Sequence, residues 1–257
     1  MKKLFVGGNW KLNGNLKLLK DFSCSKEFNS AVENCSEAVE VVIFPAFPYL
    51  SMAKEAFAGS SVAIGAQNCH SSVSGAFTGE VSLAMLQDLS VDWVLLGHSE
   101  RRSLFAETDD IVGQKFGLAV EAIRVILCVG EREEERESGS TERVIEHQLA
   151  ACLDRLKSRD LSTFDPSRLI IAYEPVWAIG TGKVATPHQA QQIHHHIRRY
   201  LAALMGPDHA AAVRIIYGGS VSAASAPELA KQTDIDGFLV GGASLKIDEF
   251  TKIIKSI

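Results

Sequence analysis

Eight short β-branched or apolar runs recur along the chain, at residues 4–8, 40–44, 62–66, 93–97, 124–130, 169–173, 213–217 and 237–241. Each ends in polar residues or glycine and leads into a longer stretch of helical patterning. Strands of near-continuous apolar character are buried on both faces, a property of parallel sheets covered by helices. Eight runs in 257 residues give about 32 residues per unit, the size of a strand with its crossover helix and loops. The spacing predicts an α/β protein, a (β/α)8 barrel of eight parallel strands with outer helices, occupying residues 1–257 as one domain. An open doubly wound sheet would more often carry a G-x-G-x-x-G turn after its first strand. Here Gly7-Gly8-Asn9 follows instead, and that fingerprint is absent.

Composition narrows the function classes. Lys plus Arg number 26 against 31 Asp plus Glu, a net charge of −5, without the basic excess of a nucleic-acid binder. No apolar stretch reaches the roughly 20 residues of a membrane helix, and the apolar run after Met1-Lys2-Lys3 is too short for a secretory signal. Cysteines 24, 35, 69, 128 and 152 are odd in number, dispersed and without a C-x-x-C pair, which fits neither a disulfide framework nor a structural zinc site. The expectation is a soluble cytoplasmic protein with no nucleic-acid or membrane partner.

Helix signals fill the gaps between runs. Thr186-Pro187-His188-Gln189 combines an N-cap hydroxyl, a proline at the first helical position and a Gln at N3, a capping-box pattern. Behind it Ile193, Ile197, Leu201 and Leu204 recur at helical spacing until Gly206-Pro207 stops the run. Residues 248–257 suit a short closing helix.

Chemistry on such a barrel gathers at the C-terminal ends of the strands. Strand 1 runs into Asn9-Trp10-Lys11, an amide and an ammonium two residues apart. Strand 4 ends in Gly97-His98-Ser99-Glu100-Arg101-Arg102. There His98, at the start of a short helix, is either a neutral donor to a substrate oxygen or a loop histidine paired with Glu100. Strand 6 ends in Glu174-Pro175, and the proline keeps Glu174 extended, over the barrel mouth. Residues 176–182 follow, four apolar positions and then Gly-Thr-Gly. This is the pattern of a water-excluding lid, preferred over a permanently packed loop because of the paired glycines. Gly218-Gly219-Ser220 and Gly241-Gly242 follow the last two strands. Backbone N–H groups there, with a helix starting, point to a phosphate site.

Other motifs read as structural. His194-His195-His196 diverge by about 100° per residue on a helix and do not share one metal ion. The run at residues 131–137 offers i,i+3 pairs such as Arg132/Glu135 and Glu133/Arg136 and reads as a solvated face. Cys128, on strand 5, reads as a packed core thiol.

Taken together, Asn9-Trp10-Lys11, the loop at 75–80 (Gly-Ala-Phe-Thr-Gly-Glu), Gly97 through Arg102, residues 172–182, Tyr217-Gly218-Gly219-Ser220 and residues 237–244 resemble the triosephosphate isomerase family. The resemblance spans nearly the whole chain in the family's order and spacing. It thins at residues 14–54 and 68–74, and Ala106 stands where the family often has glycine. It implies interconversion of dihydroxyacetone phosphate and glyceraldehyde 3-phosphate through an enediol(ate), in glycolysis and gluconeogenesis, with no metal and no cofactor. Glu174 would be the base, His98 the neutral polariser of the carbonyl, and Lys11 the holder of developing negative charge. Asn9 would position the substrate, and Glu100 joins the catalytic set. Backbone N–H groups of Gly180, Ser220, Gly241 and Gly242 would bind phosphate. A homodimer is implied, with the 75–80 loop entering the partner and Thr78 approaching the partner's Asn9 and Lys11 region. The alternatives are another phosphate-binding (β/α)8 enzyme and a barrel kept for binding alone. A Schiff-base aldolase would want a lysine within a later strand, and strands 5 to 7 contain none.

Overall fold

A computed structural model describes residues 2–156, 164–179 and 185–257. Its strands are β1 (Leu4–Asn9), β2 (Val39–Phe44), β3 (Val62–Ala66), β4 (Trp93–Leu96), β5 (Arg124–Val129), β6 (Leu169–Tyr173), β7 (Arg214–Tyr217) and β8 (Gly237–Val240). Each pairs in parallel with the next, and β8 returns to β1 to close a barrel. The apolar runs and the strands agree to within one or two residues at every position.

Burial on both strand faces explains why those runs are continuous. Along β5, Ile126 and Cys128 point into the barrel with Phe5, Val42, Trp93, Ile170 and Ile216. Val125, Leu127 and Val129 point outward into the larger core beneath the helices. Burial pushes the Cys128 thiol well above the ordinary cysteine range, in keeping with a packed group. At Gly237, where β8 closes against β1, φ is 138° and a Cβ would lie 1.9 Å from the Phe5 carbonyl oxygen. Only glycine permits that approach. The N-terminal end of the barrel is closed by charge. Glu40 accepts from Arg124 and Arg214, each at 2.7 Å, while the Arg124 guanidinium lies 4.5 Å above the Trp93 ring.

The helical layer is more divided than one helix per strand. Helices Leu16–Cys24 and Lys26–Cys35 both lie between β1 and β2, broken at Ser25, whose side chain caps the second by accepting from the Phe28 N–H. The helix Pro187–Met205 begins with the expected capping box and ends at Gly206, with φ at 84°. The closing helix is Ile247–Ile254, somewhat shorter than the 248–257 pattern suggests. On Pro187–Met205 the three adjacent histidines do diverge. His194 and His195 turn to the Asp234 carbonyl and carboxylate, and His196 to Glu146 on a neighbouring helix. Complete burial pushes the His194 imidazole down to about 4.

Ala106 adopts φ 53°, the left-handed conformation that a glycine takes without penalty. An L-residue there costs about 1–2 kcal/mol, partly offset by up to about 1 kcal/mol from the more restricted unfolded chain. Ala106→Gly is therefore expected to raise stability by a few tenths to about 1 kcal/mol in urea denaturation at matched protein concentration. A loss would show that contacts of the Ala106 methyl outweigh the backbone term.

Candidate active site

The C-terminal ends of the strands surround a cavity of about 510 Å³, whose lining includes Asn9, Lys11, His98, Glu100, Glu174, Ser220, Gly241 and Gly242. Gly180 lies outside the described residues, as do residues 181 and 182 of the expected lid.

Glu174 follows β6 directly and keeps its ladder, since its N–H donates to the Val129 carbonyl at 2.8 Å. Its side chain is buried and both carboxylate oxygens are engaged. Oε2 accepts from the Ser99 N–H at 2.8 Å, and Oε1 lies 3.1 Å from His98 Nε2. A Cβ at Gly130 would meet the Glu174 carbonyl oxygen at 1.8 Å, so the bareness of Gly130 lets Glu174 sit where it does. His98 caps the helix Ser99–Leu104, its Nδ1 accepting from the Glu100 N–H at 3.2 Å. A ring nitrogen that accepts carries no proton. The hydrogen bonds therefore assign the neutral tautomer with hydrogen on Nε2, which is the atom facing Glu174.

Lys11 follows β1 in a left-handed conformation, φ 54°. Its N–H donates to Asn9 Oδ1 at 3.0 Å, and its Nζ reaches Glu100 Oε1 at 2.7 Å. Glu100 therefore pairs chiefly with Lys11; its carboxylate stands 3.7 Å from His98 Nδ1, beyond hydrogen-bond length. On the adjoining wall, beyond β8, a Cβ on Gly242 would meet nothing within 4 Å, and one on Gly241 would approach Lys11 first. The helix starts expected at both glycine pairs are corrected. Gly242–Leu245 is a single 3-10 turn, and after β7 the next helix is the five-residue Ala226–Ala230. What Gly241-Gly242 offers is open backbone rather than a long helix dipole, whereas Gly218 and Gly219 are packed closely against Glu174 and Tyr217.

Residues 131–137 need a larger correction. Arg132 and Glu135 do pair, at 2.9 Å, on an exposed face. Glu131, however, is fully buried and accepts from the Trp177 indole at 2.8 Å and the Tyr173 hydroxyl at 3.1 Å. Burial raises its carboxyl above the ordinary glutamate range. Arg136 reaches Glu131 at 3.6 Å and stacks 4.1 Å over the Trp177 ring. Glu131 thus ties the barrel wall to the turn Val176–Ala178 that opens the lid segment, and the Ser220 hydroxyl holds the Ala178 carbonyl at 3.0 Å. Gln67, which donates to the carbonyls of both Lys11 and Phe44, was likewise silent in the sequence.

The His98 geometry carries an expected outcome. In ¹⁵N NMR near neutral pH, the His98 ring should show an unprotonated Nδ1 and a protonated Nε2. The opposite tautomer would contradict the Glu100 hydrogen bond.

Comparisons with known proteins agree with this arrangement. A family model described as triosephosphate isomerase matches residues 4–257. The protein named "Triosephosphate isomerase, cytosolic" from Oryza sativa subsp. japonica is 48% identical over 256 residues, 99% of this chain and 97% of that protein. The chain belongs to the triosephosphate isomerase family.

Proposed function

We propose that Glu174 is the base of a triose phosphate isomerisation in which His98, Lys11 and Asn9 handle the oxygens. The observation that carries this reading is the meeting of His98 Nε2 and the Ser99 N–H on the Glu174 carboxylate, inside a cavity bordered by the Lys11 ammonium and the open backbone of Gly242. Proton removal beside a carbonyl needs a base on the carbon and a donor on the oxygen. When substrate enters, Glu174 leaves its two neutral donors and turns to a substrate carbon. His98 Nε2–H is then free to donate to the carbonyl oxygen and to shuttle a proton between the two oxygens of the enediol(ate). Lys11 exchanges Glu100 for the developing negative charge, an electrostatic contribution that grows toward the transition state. Asn9 Oδ1 keeps Lys11 in place and its amide orients the substrate.

Ser220, Gly241 and Gly242, with Gly180 from the stretch beyond description, would cradle the phosphate through backbone N–H groups. The phosphate is remote from the reacting carbons, so its binding energy is available for closing residues 176–182 over the site. No cofactor and no metal enters this scheme. The activity belongs to glycolysis and gluconeogenesis, and the chain works as one (β/α)8 domain.

Glu174→Gln keeps the side chain's shape and removes the base. Its kcat/KM is expected to fall at least 10²-fold while the melting temperature stays close to the parent's. Near-parental turnover would remove Glu174 from the mechanism.

We further propose a cytoplasmic homodimer without nucleic-acid or membrane partners. The related rice protein carries "cytosolic" in its name, and among the described residues no helix is long and apolar enough to cross a membrane. Support for the dimer lies in apolar groups beside the site face. Leu12, next to Lys11, is 97% exposed, and Phe77 is 46% exposed, partly covered by the His70 ring at 4.1 Å. Burying both across an interface would remove their apolar area from water. The 75–80 loop is proposed to enter a second copy, bringing Thr78 toward that copy's Asn9 and Lys11 region. The parent should sediment as a dimer at micromolar concentration, and Phe77→Glu should shift it to monomer with loss of activity. A fully active parental monomer would overturn the dimer.

A further inference from the structure

Gln67 stands one residue beyond β3, on the site side of the barrel, yet it is not among the described residues lining the cavity. Its amide nitrogen donates to the Lys11 carbonyl and to the Phe44 carbonyl, each at 2.9 Å. Phe44 ends β2, and its carbonyl also accepts from the Trp10 N–H at 3.1 Å. One side chain therefore joins the segment that carries Lys11 to the neighbouring strand.

The need for this bond lies in the Lys11 backbone. At φ 54° lysine occupies a conformation that its Cβ disfavours, and an unrestrained chain would relax to negative φ and re-aim the side chain. Two amides oppose that relaxation. Asn9 Oδ1 accepts the Lys11 N–H, fixing the peptide before its Cα, and Gln67 Nε2 holds the Lys11 carbonyl, fixing the peptide after it. Both dihedrals are thereby set, and the ammonium is delivered to the cavity beside Gly241, 3.8 Å from where a Cβ there would stand. An amide is suited to this task because it is uncharged. A carboxylate at the same place would compete for the Lys11 ammonium, as Glu100 does from 2.7 Å.

We propose that Gln67 is a positioning residue for Lys11: it locks the left-handed Lys11 backbone so that the ammonium faces the substrate, without touching substrate itself. The proposal rests on Lys11 being the group that meets substrate negative charge.

The test is a double-mutant cycle between Gln67→Met, similar in length but without a donor, and Lys11→Met. Two readouts are taken: steady-state kinetics, and calorimetric binding of 2-phosphoglycolate, a phosphorylated carboxylate with the charge of the intermediate. With the parental lysine, Gln67→Met should lower kcat/KM by about 10–10²-fold, the usual consequence of a small misplacement of a reacting group. More of that loss should fall on kcat than on KM, because Lys11 meets charge that develops during the reaction. It should also weaken 2-phosphoglycolate about tenfold. In the Lys11→Met background, the same Gln67 substitution should weaken the anion less than twofold. Equal weakening in both backgrounds, or unchanged kinetics in a folded Gln67→Met protein, would overturn the proposal. If Gln67→Met does not fold, Gln67→Asn, whose shorter amide cannot span both carbonyls, is carried through the same cycle and judged by the same outcomes. A parent that neither isomerises triose phosphate nor binds 2-phosphoglycolate would instead bring down the reading of the site as a whole. A parent that does both while the cycle is additive would bring down the role of Gln67 alone.

Discussion

The return of β8 to β1 is the constraint on which everything else in this molecule depends. Until Phe5, Val6, Gly7 and Gly8 pair with Gly237 through Val240, the sheet has two open edges and its inward side chains face water. Closure buries Phe5, Trp93 and Leu239 in one interior and leaves the outer faces to the helices. It also brings Asn9, His98, Glu174, Ser220 and Gly241, from strand ends 1, 4, 6, 7 and 8, onto one cavity. A site composed of single residues from distant segments exists only because the ring is complete. The bare Gly237 at the seam, with the Phe5 carbonyl in the space a side chain would need, belongs to the chemistry as much as to the fold.

The sequence was most legible where a local rule operates. Apolar runs located all eight strands because burial on both faces leaves a continuous signature, and the Thr186–Gln189 capping box marked the start of its helix because both partners lie within four residues. The strand ends were legible for the same reason, since Glu174-Pro175 and the two glycine pairs are local patterns. What escaped is tied together across the fold. Glu131 meets Tyr173 and Trp177 from 42 and 46 positions away, and within its charged run nothing distinguishes it from the exposed glutamates that follow. Glu40 is joined to Arg124 and Arg214 across 84 and 174 positions. Gln67 reaches Lys11 across 56. Periodicity carries no trace of such pairs, because they are set by which strand ends the closed barrel places side by side.

Two of the buried glutamates, Glu131 and Glu174, show how environment divides one residue type into two roles. Glu131 binds Tyr173, on the barrel strand, and Trp177, on the turn beyond Pro175, through the same oxygen Oε1. Burial raises its carboxyl, while its hydrogen bonds and Arg136 pull the other way. It stays a fastening between wall and turn, facing groups that do not react. Glu174 is engaged through both of its oxygens, but its partners border the cavity, so substrate can replace them.

In the proposed mechanism, the choice of those resting partners matters for rate. Had Glu174 been paired in the free protein with a buried arginine or lysine, its charge-assisted hydrogen bonds would be roughly twice as strong as neutral ones. That pairing would have to be broken in every turnover. It rests instead on a backbone N–H and a neutral imidazole, donors that hold a carboxylate in place without adding a full opposite charge. Among the described residues, the one ammonium on the cavity wall is kept apart from it, on Glu100. That pair is partly open to solvent, 27% and 42% exposed at the two side chains, where an ion pair is worth at most about 1 kcal/mol. Substrate can draw Lys11 away from such a partner at small cost. The reactive charges are thus held where substrate can claim them, while the groups that must not move, the Lys11 backbone and the base of the lid segment, are fixed by hydrogen bonds that the reaction never touches.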